Sequence, residues 1–203
     1  LQGLNRMKYL CLLAALLILP ALTGCWRPAN SLDYYLDGQL KAERGQLDSA
    51  LDALSRAIEK NPQLGLAYIA RGEVYKQKGD YQKAATDFEH ATTIEPFNFN
   101  ANYQLGLMYQ YLNRYGDSVK AYQKAVEIRP LDPDANMNLA IVYVQLGQPL
   151  RGLPYAQRAV SGNPDYANAR ANLGILYAQL GQSDLAVDEL KRASAKRITA
   201  VIP

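Results

Sequence analysis

The stretch LGLMYQYLNRYGDSVKAYQKAVEIRP, Leu105–Pro130, contains a small residue, Gly106, a tyrosine three places further on, an alanine at Ala125, and a closing proline. Each mark returns when the chain is read in steps of 34 residues. The glycine becomes Gly38, Gly72, Gly106, Ala140 and Gly174, and the alanine becomes Ala57, Ala91, Ala125, Ala159 and Ala193. The proline becomes Pro62, Pro96, Pro130 and Pro164, with Ile198 at the fifth step. Three series in phase over five steps define an internal repeat. A repeat of this length is one supersecondary unit that buries its apolar face only by stacking on its neighbours.

The residue types say what the unit is. Small side chains at the eighth and twenty-seventh places of each repeat mark where two antiparallel helices approach closely. The tyrosine three residues after the first of them (Tyr75, Tyr109, Tyr143, Tyr177) lies on the same helical face and is expected to fill the space between the pair. Proline ends the second helix, because it lacks the N–H that would continue the ladder and disfavours helix in the residue before it. Gly45, Gly79, Gly147 and Gly181 fall at the turn within a repeat, where a left-handed backbone is needed. Five helix pairs are thus predicted, over 31–64, 65–98, 99–132, 133–166 and 167–200. The fourth is irregular: GQPLRGLPYAQ (147–157) puts Pro149, Gly152 and Pro154 where its second helix begins. Pro149 fits a first turn, but Pro154 removes a backbone bond, which predicts a short or kinked start.

The elements LGLMY (105–109), LGILY (173–177), RGEVY (71–75) and LAIVY (139–143) are each followed by a second pair. These pairs are Ser118 with Tyr122, Ala186 with Leu190, Ala84 with Phe88 and, in the first repeat, Ala50 with Leu54. With the closing proline, this pattern resembles the tetratricopeptide repeat (TPR) over residues 31–200. The resemblance implies an all-α fold, a right-handed α-solenoid of about five helix-turn-helix repeats. It also implies a concave face lined by the first helix of each pair, chiefly at the second, fifth, ninth, twelfth and thirteenth places. In this chain those places give Tyr35, Gln39 and Glu43; Ile69, Glu73 and Lys76; and Tyr103, Leu107, Gln110 and Tyr111. Further along they give Met137, Ile141, Val144 and Gln145, then Asn168, Ala171, Ile175 and Gln179. The groove is predicted to be polar at its first end and apolar in the middle. The Lys, Asn and Arg of carboxylate-clamp TPR proteins are missing: the fifth and sixth places hold Tyr35, Leu36, Ile69 and Ala70. An extended or amphipathic segment of another protein is the expected guest. Tight coiling or self-association would cover the same side chains.

Ahead of the repeats, Arg6 and Lys8 precede 14 largely apolar residues, Tyr9–Leu22, and then Leu22-Thr23-Gly24-Cys25. The apolar run is shorter than the roughly 17 to 25 residues of a spanning helix and carries Pro20, so it reads as a secretory signal. Its end resembles the lipobox of bacterial lipoproteins. That resemblance implies a signal peptide over 1–24 and acyl chains on Cys25, and two or more chains make anchorage stable. Trp26 stands where an aspartate would favour inner-membrane retention, so outer-membrane delivery is the expectation for a cell with two membranes. Residues 25–30 then form a lipidated cysteine and short linker. Its five residues after Cys25 reach at most about 17 Å.

Composition narrows the function classes. The chain has 22 Lys and Arg against 19 Asp and Glu; removal of the signal leaves a formal charge of +1, so no global field attracts nucleic acid. The cluster Lys191, Arg192, Lys196 and Arg197 reads as a solvated helix face. Cys11 falls in the signal and Cys25 at the anchor, which leaves no pair for a disulfide in the mature chain. His90 is the only histidine, and neither a metal-ligand cluster nor a phosphate loop is present. No cofactor, metal or catalytic residue is expected; an enzyme would require a catalytic domain beyond the tail at 201–203. The resemblance therefore implies a membrane-tethered adaptor of the cell envelope, a class that includes type IV pilus pilotins and adaptors of cell-wall hydrolases.

Overall fold

A computed structural model describes residues 29–199, so Cys25, Trp26 and the signal segment lie outside the described residues. The first three repeats consist of α1 (Ser31–Glu43) and α2 (Leu47–Lys60), α3 (Gly65–Gln77) and α4 (Tyr81–Ile94), and α5 (Phe99–Tyr111) and α6 (Tyr115–Ile128). α7 (Pro133–Gln145) and α8 (Pro149–Gly162) follow, then α9 (Ala167–Gln179) and α10 (Ser183–Thr199). Among the described residues the fold is entirely helical, a solenoid of paired helices.

Proline punctuation is visible directly: α2, α4, α6 and α8 each stop two residues before Pro62, Pro96, Pro130 and Pro164. Where the fifth step supplies Ile198, α10 runs on for 17 residues instead of 14. The turns within repeats carry φ values of +73°, +76°, +70° and +73° at Gly45, Gly79, Gly147 and Gly181. The third repeat solves the same turn with Asn113 at φ +57°, a conformation asparagine tolerates better than other side chains.

Each eighth-place glycine faces a large side chain from the second helix of its own repeat. A Cβ on Gly38 would lie 2.6 Å from Leu54, on Gly72 3.0 Å from Phe88, on Gly106 2.7 Å from Tyr122, and on Gly174 2.9 Å from Leu190. These partners fall on one series of 34-residue steps, whose member at 156 is alanine. It is they, rather than the tyrosines, that fill the space beside the eighth-place residue. Tyr109, Tyr143 and Tyr177 reach further, to the second helix of the preceding repeat, whereas Tyr75 packs against the second helix of its own repeat. Tyr109 Oη donates to Glu89 Oε1 at 2.5 Å, and Gln123 Nε2 and Gln157 Nε2 donate to the hydroxyls of Tyr143 and Tyr177, both at 3.0 Å. Burial, reinforced by the Glu89 hydrogen bond, holds the Tyr109 phenol well above its ordinary pKa.

Polar staples seal the joints between repeats. Asn102 Nδ2 donates to the carbonyls of Pro96 and Asn98, and Asn136 Nδ2 to those of Pro130 and Asp132, at 2.8–3.0 Å. In the last joint Arg170 Nε donates to the Pro164 carbonyl at 2.9 Å. Asn98 and Asp132 also cap α5 and α7, accepting from the backbone N–H of Ala101 and Ala135. The second repeat adds an ion pair, Arg71 to Asp87 at 2.7 Å, with Arg71 Nη1 also donating to Ser55 of the preceding repeat at 3.0 Å.

Of the short or kinked start expected from its prolines, the shortening is not seen: α8 has the 14 residues of α2, α4 and α6. Pro149 is its first residue and Pro154 sits early enough that one hydrogen bond is lost, while packing against α7 and α9 holds the rest. Gly152 permits that packing, since a Cβ there would lie 2.8 Å from the Ala140 carbonyl oxygen.

First helices of successive repeats touch (α1 with α3, α5 with α7, α7 with α9), whereas no two second helices make contacts of that extent. First helices therefore line the inner side of a curved stack. Replacing Gly106 with valine should drive the new side chain into the fully buried Tyr122 ring and cost about 1–3 kcal/mol, measured as a lower urea midpoint. Gly116→Ala, at a glycine with open space around it, should leave the midpoint unchanged or raise it.

Candidate functional site

The inner face presents α1, α3, α5, α7 and α9 side by side, and its surface changes along the stack. At the first end a groove of about 410 Å³ gathers Tyr35, Gln39, Ile69 and Glu73 with Glu43, Leu66 and Asn100. Burial lifts the Tyr35 phenol above its usual pKa. Glu73 is paired with Lys76 at 2.5 Å, and Lys76 Nζ also donates to Gln104 Oε1 at 3.1 Å, crossing from α3 to α5.

In the middle, Tyr103, Leu107 and Tyr111 stand on α5. Tyr103 is half-buried: its ring lies 5.9 Å from Phe99 and edge-on to Tyr122 at 5.7 Å, and its hydroxyl accepts from Asn138 Nδ2 at 2.9 Å. Desolvation raises its pKa, and the nearby carboxylate of Asp134 adds to that rise. Leu107 is half-buried against the cores on both sides. Tyr111 is exposed and stacks on Tyr81 at 4.6 Å.

At the far end Ile141 and Val144 are half-buried and Ile175 is half-exposed; with Met137 they border a small apolar hole of about 110 Å³ between α7 and α9. Met137 differs from the expectation of an exposed groove residue. It is only 5% exposed, because the fifth place of this repeat turns into the core shared with Leu173 and Tyr177. Ala171 is half-buried on α9 and borders neither cavity. The most apolar hollow thus lies beyond the middle of the stack, where the tyrosines of α5 occupy the surface themselves.

The sixth place adds residues absent from the sequence-based groove. Gln104, Asn138 and Asn172 are half-buried amides beside the fifth-place side chains, and the first two bond across to the neighbouring repeat. The signal for them was an amide recurring at the 34-residue step in three consecutive repeats. Gln110 Nε2 to Gln145 Oε1, at 3.3 Å, makes a further crossing bond. His90 is exposed on α4, stacked on Tyr68 at 5.1 Å. Among the described residues, no group of three or more His, Cys, Asp or Glu is placed to hold a metal ion, and no helix is long and apolar enough to cross a membrane.

Family profiles described as TPR repeat or tetratricopeptide repeat match residues 38–79, 107–147, 139–199 and 65–98, which together take in most of the chain. The chain belongs to the tetratricopeptide-repeat family. Among solved structures, this TPR chain is similar to a crystal structure of MamA (22% identity, TM-score 0.78, covering 81% of this chain and 96% of that one). A MamA from Desulfovibrio magneticus RS-1 is similar at 21% identity and TM-score 0.78, covering 83% and 96%. YrrB, described as a TPR protein with an unusual peptide-binding site, aligns at 24% identity and TM-score 0.74, covering 82% and 86%. At these identities the likeness is one of fold alone. Among curated proteins, no sequence matches the chain.

The Tyr122 ring is fully buried behind this face, with its hydroxyl donating to Gln110 Oε1 at 3.2 Å, and burial pushes its pKa far up. A raised phenol pKa contributes stability that is complete below the unfolded value near 10 and is lost as pH climbs above it. Urea unfolding from pH 8 to 11.5 should therefore show a flat free energy to about pH 10 and a decline beyond. Tyr122→Phe should reduce that decline by about 1.4 kcal/mol per pH unit.

Proposed function

We propose that this protein is a lipid-anchored, non-catalytic adaptor of the cell envelope whose concave face binds an extended or amphipathic segment of another protein. The observation that carries the reading is the continuous inner surface of five first helices, where Leu66, Tyr111 and Ile175 remain substantially exposed between amide-bearing side chains. Large apolar side chains left in water on a concave face favour a guest that covers them, and the amides supply partners for its backbone. YrrB, a protein of the same fold, is described as having a peptide-binding site, which makes a polypeptide guest the natural choice here.

The anchor rests on Leu22-Thr23-Gly24-Cys25, preceded by the charged and apolar signal segment. Acylation of Cys25 would hold the first repeat within about 17 Å of the bilayer. Trp26 would then sit at the lipid interface, facing the outer membrane in a cell with two. Tethering raises the effective concentration of captured partners at one surface, which is what assembly of a pilus or secretion apparatus requires.

Cys25→Ala should shift the protein from the membrane to the soluble fraction and abolish its labelling with a clickable fatty acid; an unlabelled wild-type protein would refute the anchor. A photocrosslinker at position 107 should give, in cells, an adduct with a second polypeptide, identified by mass spectrometry. The same probe at position 124, on the outer helix α6, should give none. Adducts consisting only of two copies of this chain would replace the adaptor reading with self-association.

A further inference from the structure

Leu32, Leu36 and Leu40 recur every fourth residue along α1 and stand 50%, 54% and 45% exposed. Leu36 and Leu40 are each two residues from Gly38, the buried residue of this helix, which packs on Leu54. At about 100° per residue that puts them on the opposite side of α1. The three side chains form a stripe about 12 Å long that points out of the stack. Later repeats have no such stripe. Where α1 has Leu36 they hold Ala70, Gln104, Asn138 and Asn172. Where it has Leu40 they hold Val74, Met108, Val142 and Leu176, all buried against the preceding repeat. Among the described residues no helix precedes α1.

The charges beside the stripe decide what covers it. Asp33 stands where later repeats bury Ala67, Ala101, Ala135 and Ala169, and Asp37 is paired with Lys41 at 2.6 Å. A second copy stacked end-on would strip water from these groups. We infer that the stripe seats on the lipid bilayer, as a side-chain contact that fixes the first repeat against the membrane holding its anchor. The inference rests on the reading of Cys25 as acylated. Five residues separate Cys25 from Ser31, so the tether keeps α1 within about 17 Å of the lipid and presents the bilayer to the stripe at high effective concentration. Three leucines are too few to hold a protein on a membrane alone, but beside a tether they select which side of the repeat faces it. The contact is one side chain deep, so the flanking carboxylates stay hydrated among the headgroups. From Trp26 to Glu43 the chain carries Arg27 and Lys41 against Asp33, Asp37 and Glu43, which gives no attraction to an anionic surface and makes the occupant the apolar boundary of neutral lipid. Seated in this way, the inner face has its acidic end, with Glu43 and Glu73, nearest the bilayer.

The test uses the acylated full chain, purified from membranes with its acyl mass confirmed and reconstituted into phosphatidylcholine vesicles. Signal cleavage removes Cys11 and acylation occupies the Cys25 thiol, so Leu36→Cys supplies a single thiol for an environment-sensitive fluorophore. Val187→Cys, at a position 50% exposed on α10, is the reference. Doxyl-labelled phospholipid should quench the probe at 36 at least about threefold and leave the probe at 187 unchanged. Raising the salt to about 0.5 M should not alter the quenching. With the probe moved to 32 by Leu32→Cys, the pair Leu36→Lys and Leu40→Lys should bring quenching down to the level at 187, with acylation and the helical circular dichroism retained. Acylated, vesicle-bound protein that shows no quenching at 36 overturns the proposal and leaves the anchor standing; protein without acyl mass overturns both. A probe at 36 shielded from water but untouched by doxyl lipid overturns it in favour of residues 26–30 or a second copy, the copy being recognised by dependence on protein density. Quenching that disappears at high salt, or that survives both lysines, also overturns it.

Discussion

The stack depends on a steric agreement within four of its five helix pairs: a glycine on the first helix against a large side chain on the second. Gly106 and Tyr122 show the constraint plainly, since any side chain at 106 would overlap a ring that is wholly buried. Protein interiors are packed nearly as densely as organic crystals, so such a contact sets the separation of the pair to within a few tenths of an ångström. Repeating it at a constant step sets the geometry of each unit in the same way. Regular units then stack regularly, and a continuous inner face follows.

Joints between units use different chemistry. Proline stops the second helix, which leaves carbonyls at the chain reversal, and Asn102, Asn136 and Arg170 reach back to satisfy them. Tyrosine hydroxyls bridge from the first helices of the third, fourth and fifth repeats to the preceding second helix. The second repeat departs from this scheme with its Arg71–Asp87 pair, a charged contact where the later repeats place Leu105, Leu139 and Leu173. A buried pair of that kind contributes little net stability but is costly to break. Variation among repeats is thus tolerated in the polar joints, where Asn136 Oδ1 is buried without a hydrogen-bond partner.

The inner face inherits its regular spacing from the steric agreement and its chemistry from places that packing leaves open. Glutamates and a tyrosine occupy the first end, tyrosines the middle, and neutral aliphatic side chains the far end. A guest laid along it would meet a gradient from acidic to apolar, which gives the groove a direction as well as a shape.

The period, the helix pairs, the turns and the helix ends could be read from residue order, because each depends on interactions inside one 34-residue unit: a glycine, a proline, a tyrosine at fixed distances. That the first helices line the inner face came from the resemblance to the tetratricopeptide repeat. Residue order did not disclose that Met137 is buried, that Tyr103 bonds to Asn138, or that α8 keeps its full length despite Pro154, since these depend on side chains from neighbouring repeats meeting in space. Only the tertiary structure sets Met137, Ile141, Val144, Ile175 and Leu176 around one hollow, because a void is a property of all its walls at once and no single stretch of chain contains them.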